Sequence, residues 1–187
     1  MSAQPIYPKQ MLEQREREYL MGKARVRMRA SVENIDAGDY RVDGVSEGQS
    51  VELPRWVAEE LVALKLAESD DEPFETEIFR ALSKEKMMGP LQLSVLPEDF
   101  YLRMRRRMGN LGRAAQEGRV RKEEFEKLRG VCYDLVGMRL SKLLSLSSSS
   151  TKASDLGDRL TPEERSFFTM ARSFSQEWKT ALLGEMV

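Results

Sequence analysis

An α+β fold, in which a small β-rich domain precedes a larger all-α helical domain, is predicted by three observations. From Lys23 to Glu52 apolar residues alternate with charged ones or come in short runs broken by Gly38, Gly44 and Gly48, the pattern of short strands joined by tight turns. Residues 68–77 carry Glu68, Asp70, Asp71, Glu72, Glu75 and Glu77 around Pro73 and no base, which marks a boundary. Beyond it apolar residues recur every three or four positions and the strand pattern disappears. The chain is therefore divided into an N-terminal extension at 1–22, a small β-rich domain at 23–68, an acidic linker at 69–77 and a helical domain at 78–187.

Within the small domain, Val26, Met28 and Ala30 alternate with Arg25, Arg27 and Arg29, the period of two of a strand with one wet face. Residues 40–42 and 51–53 are its short partners. A helix follows, with Pro54 at its first position, where a missing amide costs nothing, and with Trp56, Val57, Leu61 and Leu64 on one face. A unit of this size buries little of its own surface and leans on a tail or a partner.

Four helices are expected in the larger domain, at residues 74–87, 97–109, 120–147 and 162–183. The third has apolar residues round most of its circumference, from Phe125 and Leu128 to Leu143 and Leu144, as befits a central helix contacted on more than one side. The fourth opens with Thr161-Pro162-Glu163-Glu164: a hydroxyl at the cap, proline at the first turn and a Glu three residues after the cap. Along it Phe167, Met170, Phe174 and Trp178 keep a helical rhythm and are candidate protein-interface anchors; the competing reading makes them intramolecular core. The polar stretch SLSSSSTKASDLGD between the last two helices is expected to be mobile and unpacked.

Composition narrows the chemistry. The 187 residues include 30 Lys+Arg, 31 Asp+Glu, one Cys and no His. Without imidazole there is no Ser-His-Asp or Cys-His nucleophile and no histidine metal ligand. Cys132 alone permits no internal disulfide and no Cys-rich metal site, consistent with a cytoplasmic chain. No apolar run approaches the roughly 20 residues of a spanning helix, and the first twenty residues lack a signal-peptide core. A net charge of -1 supplies no global attraction to nucleic acid, so such binding would need a local patch.

One patch exists. Arg103, Arg105, Arg106 and Arg107 cluster on the second helix of the large domain, opposite Phe100, Met104 and Met108, and are candidate DNA contacts. The plainer reading is a solvated or salt-bridged face, paired with the acidic linker. Acid pairs such as Glu98-Asp99 and Glu163-Glu164 sit where helices begin and where the dipole favours carboxylates. Adjacent helical residues also point about 100° apart, which suits neither metal binding nor acid–base work. No catalytic residue, cofactor site or metal site is expected, and the chain is read as a non-enzyme.

The run from Ser50 through Leu53-Pro54-Arg55-Trp56-Val57-Ala58 to Leu61 resembles the small domain of GINS subunits, in which Leu53, Pro54 and Trp56 are the motif residues. Leu96-Pro97-Glu98-Asp99-Phe100-Tyr101, Arg139-Leu140-Ser141-Lys142-Leu143-Leu144 and Leu160-Thr161-Pro162-Glu163-Glu164-Arg165 are similar to helix entries and a helix interior of the family's helical domain. The small-domain-first order resembles the archaeal 23 type. The resemblance implies a non-catalytic subunit of a homotetramer or two-type heterotetramer of GINS chains, working in DNA replication. It also implies the MCM helicase and a RecJ-like accessory protein as partners, weak DNA contact at most, and a cytoplasmic, nucleoid-associated location. The alternative is a nucleic-acid-binding module that works through the arginine cluster.

Overall fold

A computed structural model describes residues 8–38, 40–69, 73–150 and 153–184. The start of the N-terminal extension, Asp70 to Glu72 of the expected linker, and Thr151 with Lys152 of the serine-rich stretch lie outside the described residues. The chain forms two compact units, Leu12–Glu72 and Pro73–Val187 with Met1–Met11. The small β-rich part followed by a larger helical part is the order that the change of apolar period predicts.

In the smaller unit, β1 (Lys23–Met28) is the central strand, antiparallel to β4 (Ser50–Pro54) on one side and to β5 (Ala67–Ser69) on the other. Its period of two is realised, since Val26 and Met28 are buried while Arg25 and Arg27 are exposed. A separate hairpin pairs β2 (Val32–Ala37) with β3 (Tyr40–Val45), with Val32 opposite Val45. The sequence pattern had not singled out β2 or β5, because neither has a clean alternation. Helix α2 (Arg55–Ala63) presents Val57, Ala58 and Leu61 to the core of Val26, Met28, Ile35, Val45 and Leu53.

Two ends of α2 show how local chemistry shapes this unit. Pro54 precedes the helix as its N-cap, with ψ 136, rather than opening it; its extended ψ still belongs to β4, and its fixed φ suits either state. At the other end Lys65 takes φ 61, while Leu66 N–H bonds to Leu61 O at 2.9 Å and Lys65 N–H to Val62 O at 3.0 Å. This is the left-handed helix stop usually given to glycine, held here by Leu66 packing on the same core as Leu61. Helix α1 (Pro8–Met21) occupies most of the extension, and the Tyr19 ring lies 4.2 Å from the Arg55 guanidinium.

The larger unit comprises α3 (Phe74–Met87), α4 (Phe100–Gln116), α5 (Lys122–Ser147), the short α6 (Ala153–Leu156), a 3-10 turn (Gly157–Arg159) and α7 (Pro162–Leu183). Helix α5 packs against α3, α4 and α7, the central position that its all-round apolar pattern predicts. One core joins Ile78, Phe100, Leu128 and Leu135. A second joins Leu93, Leu143, Leu146, Leu160 and Phe168.

Two expectations need correction here. Helix α4 begins at Phe100, after Glu98 and Asp99, and runs past Gly109 to Gln116. Gly112 lies inside it because a Cβ there would come within 3.3 Å of the Phe125 ring of α5; the glycine permits close approach instead of ending the helix. The true stop is Gly118, at φ 72, with Arg119 N–H bonded to Ala114 O at 2.9 Å. The serine-rich stretch is likewise partly ordered. Ser147, Ser148 and Ser149 return hydroxyl bonds to Leu144 and Leu146 carbonyls at the end of α5, and Leu156 of α6 is buried in the second core.

Candidate functional site

Helix α7 starts as the sequence predicts. Thr161 Oγ1 accepts from Glu164 N–H at 3.3 Å and Glu164 Oε2 accepts from Thr161 N–H at 3.1 Å, a reciprocal cap that fixes where the helix begins. That phase points Phe168 inward, fully buried, and leaves Phe167 partly buried against the second core. Met170, Phe174, Trp178 and Leu182, four residues apart, stand outward instead. Phe174 is 66% and Trp178 59% exposed, and their rings stack with centroids 6.2 Å apart. The four expected anchors thus divide, with Phe167 packed against the core and three on the surface.

From Gln176 onward every described residue of α7 is exposed. Lys179 Nζ donates to Ser148 O at 2.8 Å, and the Ser148 and Ser175 hydroxyls are 3.5 Å apart, which ties this end to α5. One and two turns before Ser148, Leu144 and Leu140 are also exposed. Both helices therefore carry exposed apolar side chains within two turns of this contact.

The arginine cluster of α4 is divided as well. Arg103 makes two bonds to Glu77, at 2.5 and 2.6 Å, and reaches Asp99 at 3.1 Å, with the Phe74 ring 5.8 Å beneath it. Arg107 Nε donates to Glu75 Oε1 at 2.6 Å. Glu75 and Glu77 lie in the first turn of α3, where the helix dipole already favours carboxylates, and the guanidinium fork matches them. Arg106 is half-buried; Arg105 is exposed and has no ion-pair partner among the described residues. In the smaller unit Leu53 is core, Pro54 is half-buried, and Trp56 is the exposed member of the motif.

Beneath these surfaces lies a polar constellation that the sequence reading did not find as a site. Arg139 and Glu85 are both wholly buried, and Arg139 Nη1 donates to Glu85 Oε2 at 2.7 Å. Its Nη2 reaches Glu164 Oε2 at 2.8 Å and Arg159 O at 2.9 Å. Lys142 Nζ donates to Glu85 Oε1 at 2.7 Å, Ser94 Oγ to Glu85 Oε2 at 2.7 Å, and Tyr101 Oη to Glu164 Oε1 at 2.7 Å. One cluster thereby joins α3, α4, α5, α7 and the loop before α4. The available signal was Arg139 and Lys142, spaced by three in the otherwise uncharged C-terminal half of α5; their acids come from α3 and α7, too far away in sequence to be paired by spacing.

Burial alone would raise the Glu85 carboxyl, but the Lys142 and Ser94 hydrogen bonds, with the Arg139 charge, leave it below the ordinary carboxylate range. Tyr101 is pushed above its usual value by burial and by the Glu164 carboxylate. Arg139 moves upward too: burial opposes its charge, and Glu164 outweighs burial. Cys132, inside the first core, is pushed up to about 11 by burial, so it is a packed thiol and not a poised nucleophile at neutral pH.

Among the described residues no three Cys, Asp or Glu side chains converge to hold a metal ion, and no helix is long and apolar enough to cross a membrane. What the geometry offers is a helical body with exposed aromatic side chains, Phe174 and Trp178 among them. A family model described as the GINS complex protein helical bundle domain matches residues 69–183. No curated protein matches the chain.

Proposed function

We propose a scaffold's role from one premise: the chain belongs to the GINS family, whose members are non-catalytic subunits of a DNA-replication complex. In this reading the chain assembles with other GINS subunits into a tetramer, of one chain type or two, and the tetramer scaffolds or activates the MCM helicase. The arrangement follows the archaeal 23 type, with the small unit offering Trp56 to a RecJ-like or equivalent accessory protein, in a cytoplasmic, nucleoid-associated setting.

The observation that carries the reading is the outward ridge of Met170, Phe174, Trp178 and Leu182 on α7, beside Leu140 and Leu144 of α5. Side chains of this size expose several hundred Å² between them, on the order of one partner's share, about 800 Å², of a standard interface. They also project from a helix whose last turns find little cover among the described residues, as an element completed by another subunit does. The nucleic-acid alternative has less support, because Arg103 and Arg107 already hold α4 to α3.

Light scattering or native mass spectrometry of the purified chain, at low and high salt, tests the reading. A salt-resistant species of four times the 21.5 kDa chain mass is the expected outcome for a self-sufficient subunit. A monomer or dimer is expected to become a tetramer when the second GINS chain type is added. A monomer that binds DNA with a steep salt dependence and completes no tetramer would replace this reading with the nucleic-acid one.

A further inference from the structure

Apart from α7, a second apolar surface lies on the connection from α3 to α4. In an irregular loop apolar side chains normally fold inward, and Leu93 and Leu96 do so. Met87 and Val95 do not, at 87% and 63% exposed, and Met88 and Leu91 join them at the surface. The loop is held in this orientation from beneath. Lys142 Nζ donates to Gln92 O at 3.0 Å, Arg139 Nη1 to Ser94 O at 2.9 Å, and Ser94 N–H to Glu85 Oε2 at 3.1 Å. Turning the apolar side chains inward would break these bonds to buried charges, each stronger than a neutral one.

The exposed charge of this segment has one sign. From Phe79 to Pro97 the only acid is Glu85, which is wholly buried, whereas Lys84 and Lys86 are exposed. Neither lysine has an ion-pair partner among the described residues. Methionines suit a docking surface because they adapt to a partner's shape, and a loop already pinned loses little freedom on binding.

We propose that the last turn of α3 and this loop dock an acidic amphipathic helix of a partner protein. Its apolar side rests on Met87, Met88, Leu91 and Val95, and its carboxylates meet Lys84 and Lys86. The unpaired lysines set the sign of the partner, and exposed apolar side chains next to those lysines call for a partner that presents apolar and acidic side chains together, as one amphipathic helix does. A nucleic acid fits less well, since the loop offers no aromatic ring on which a base could stack. This surface goes beyond assembly through α7 and does not depend on it.

The test titrates the full chain into a fluorescein-labelled synthetic helix of about 18 residues, with leucines on one face and glutamates elsewhere, read by anisotropy. Its lysine-for-glutamate counterpart, an oligo-dT strand and phosphatidylserine vesicles are run beside it. The acidic peptide is expected to bind with a Kd on the order of micromolar. Met87→Ser/Leu91→Ser and Lys84→Glu/Lys86→Glu should each weaken it about tenfold or more, and the lysine peptide should not bind. Both altered lysines are exposed, so the second variant keeps the parent fold. Unchanged affinity in that variant, or stronger binding of the oligonucleotide or the vesicles than of the peptide, would overturn the proposal. Phe174→Ser/Trp178→Ser should bind the peptide as the parent does; a loss there would move the peptide to α7 and overturn it equally, while assembly itself is read separately by mass.

Discussion

Glu85 shows how much of this protein hangs on single buried side chains. Its carboxylate accepts from Lys142, Arg139 and Ser94, so Glu85→Gln leaves two buried cations short of a counter-charge, at a cost of about 3 kcal/mol or more at neutral pH. The pH dependence has a definite sign. The folded pKa is below the ordinary value, so the unfolded chain takes up its proton first, near pH about 4.3. The contribution of Glu85 is therefore complete above that pH and is lost as pH falls through the folded value. Urea unfolding of parent and Glu85→Gln should show a large gap at pH 7 that narrows toward pH 3; a gap independent of pH would remove the ionic account. Sequence could show Arg139 and Lys142 as the two charges in an otherwise uncharged half-helix, but it could not show their acids, which arrive from other helices only when the bundle forms.

At the scale of elements, legibility followed the range of the interactions. The start of α7 could be read because a capping box is closed within four residues, and the centrality of α5 could be read because its own periodicity encodes it. The end of α4 could not: Gly109 looks like a stop, yet the helix runs on through Gly112, where Phe125 of another helix fills the space a side chain would take. Phe174 and Trp178 of α7 were legible as aromatic anchors, yet only the structure separates them from Phe167 and Phe168, because one helical phase decides which side is covered. Their exposure makes a clean variant possible. Phe174→Ser/Trp178→Ser removes no intramolecular core contact, so its thermal unfolding should stay close to the parent's. Each ring buried in an interface contributes about 1.5–3 kcal/mol, so losing both should weaken association about a hundredfold or more. Sedimentation velocity across a concentration series checks this, and an unshifted dissociation midpoint would place the subunit contact elsewhere.

For the whole molecule, the order of a β-rich part and a helical part was legible because the period of two disappears beyond an acidic stretch, where only the three-and-four pattern continues. Less legible was where acidic residues stop being linker: Glu75 and Glu77 belong to α3 and bind Arg107 and Arg103, a role set by partners some thirty positions on. The two units also differ in what stabilises them. The smaller, Leu12–Glu72, has one core of short strands and a single helix, and a chain of about 60 residues buries only about 60% of its unfolded surface. The larger has two cores joined by buried ion pairs. We expect the smaller unit to unfold first. The chain has two tryptophans, Trp56 in the smaller unit and Trp178 in the larger, so Trp178→Phe leaves a fluorophore that reports only on the smaller. Its emission should change at a lower urea concentration than the helical circular dichroism, which the larger unit dominates. Coincident transitions would mean that the two units fold as one cooperative body, and the boundary at Pro73 would then be a feature of packing without thermodynamic independence.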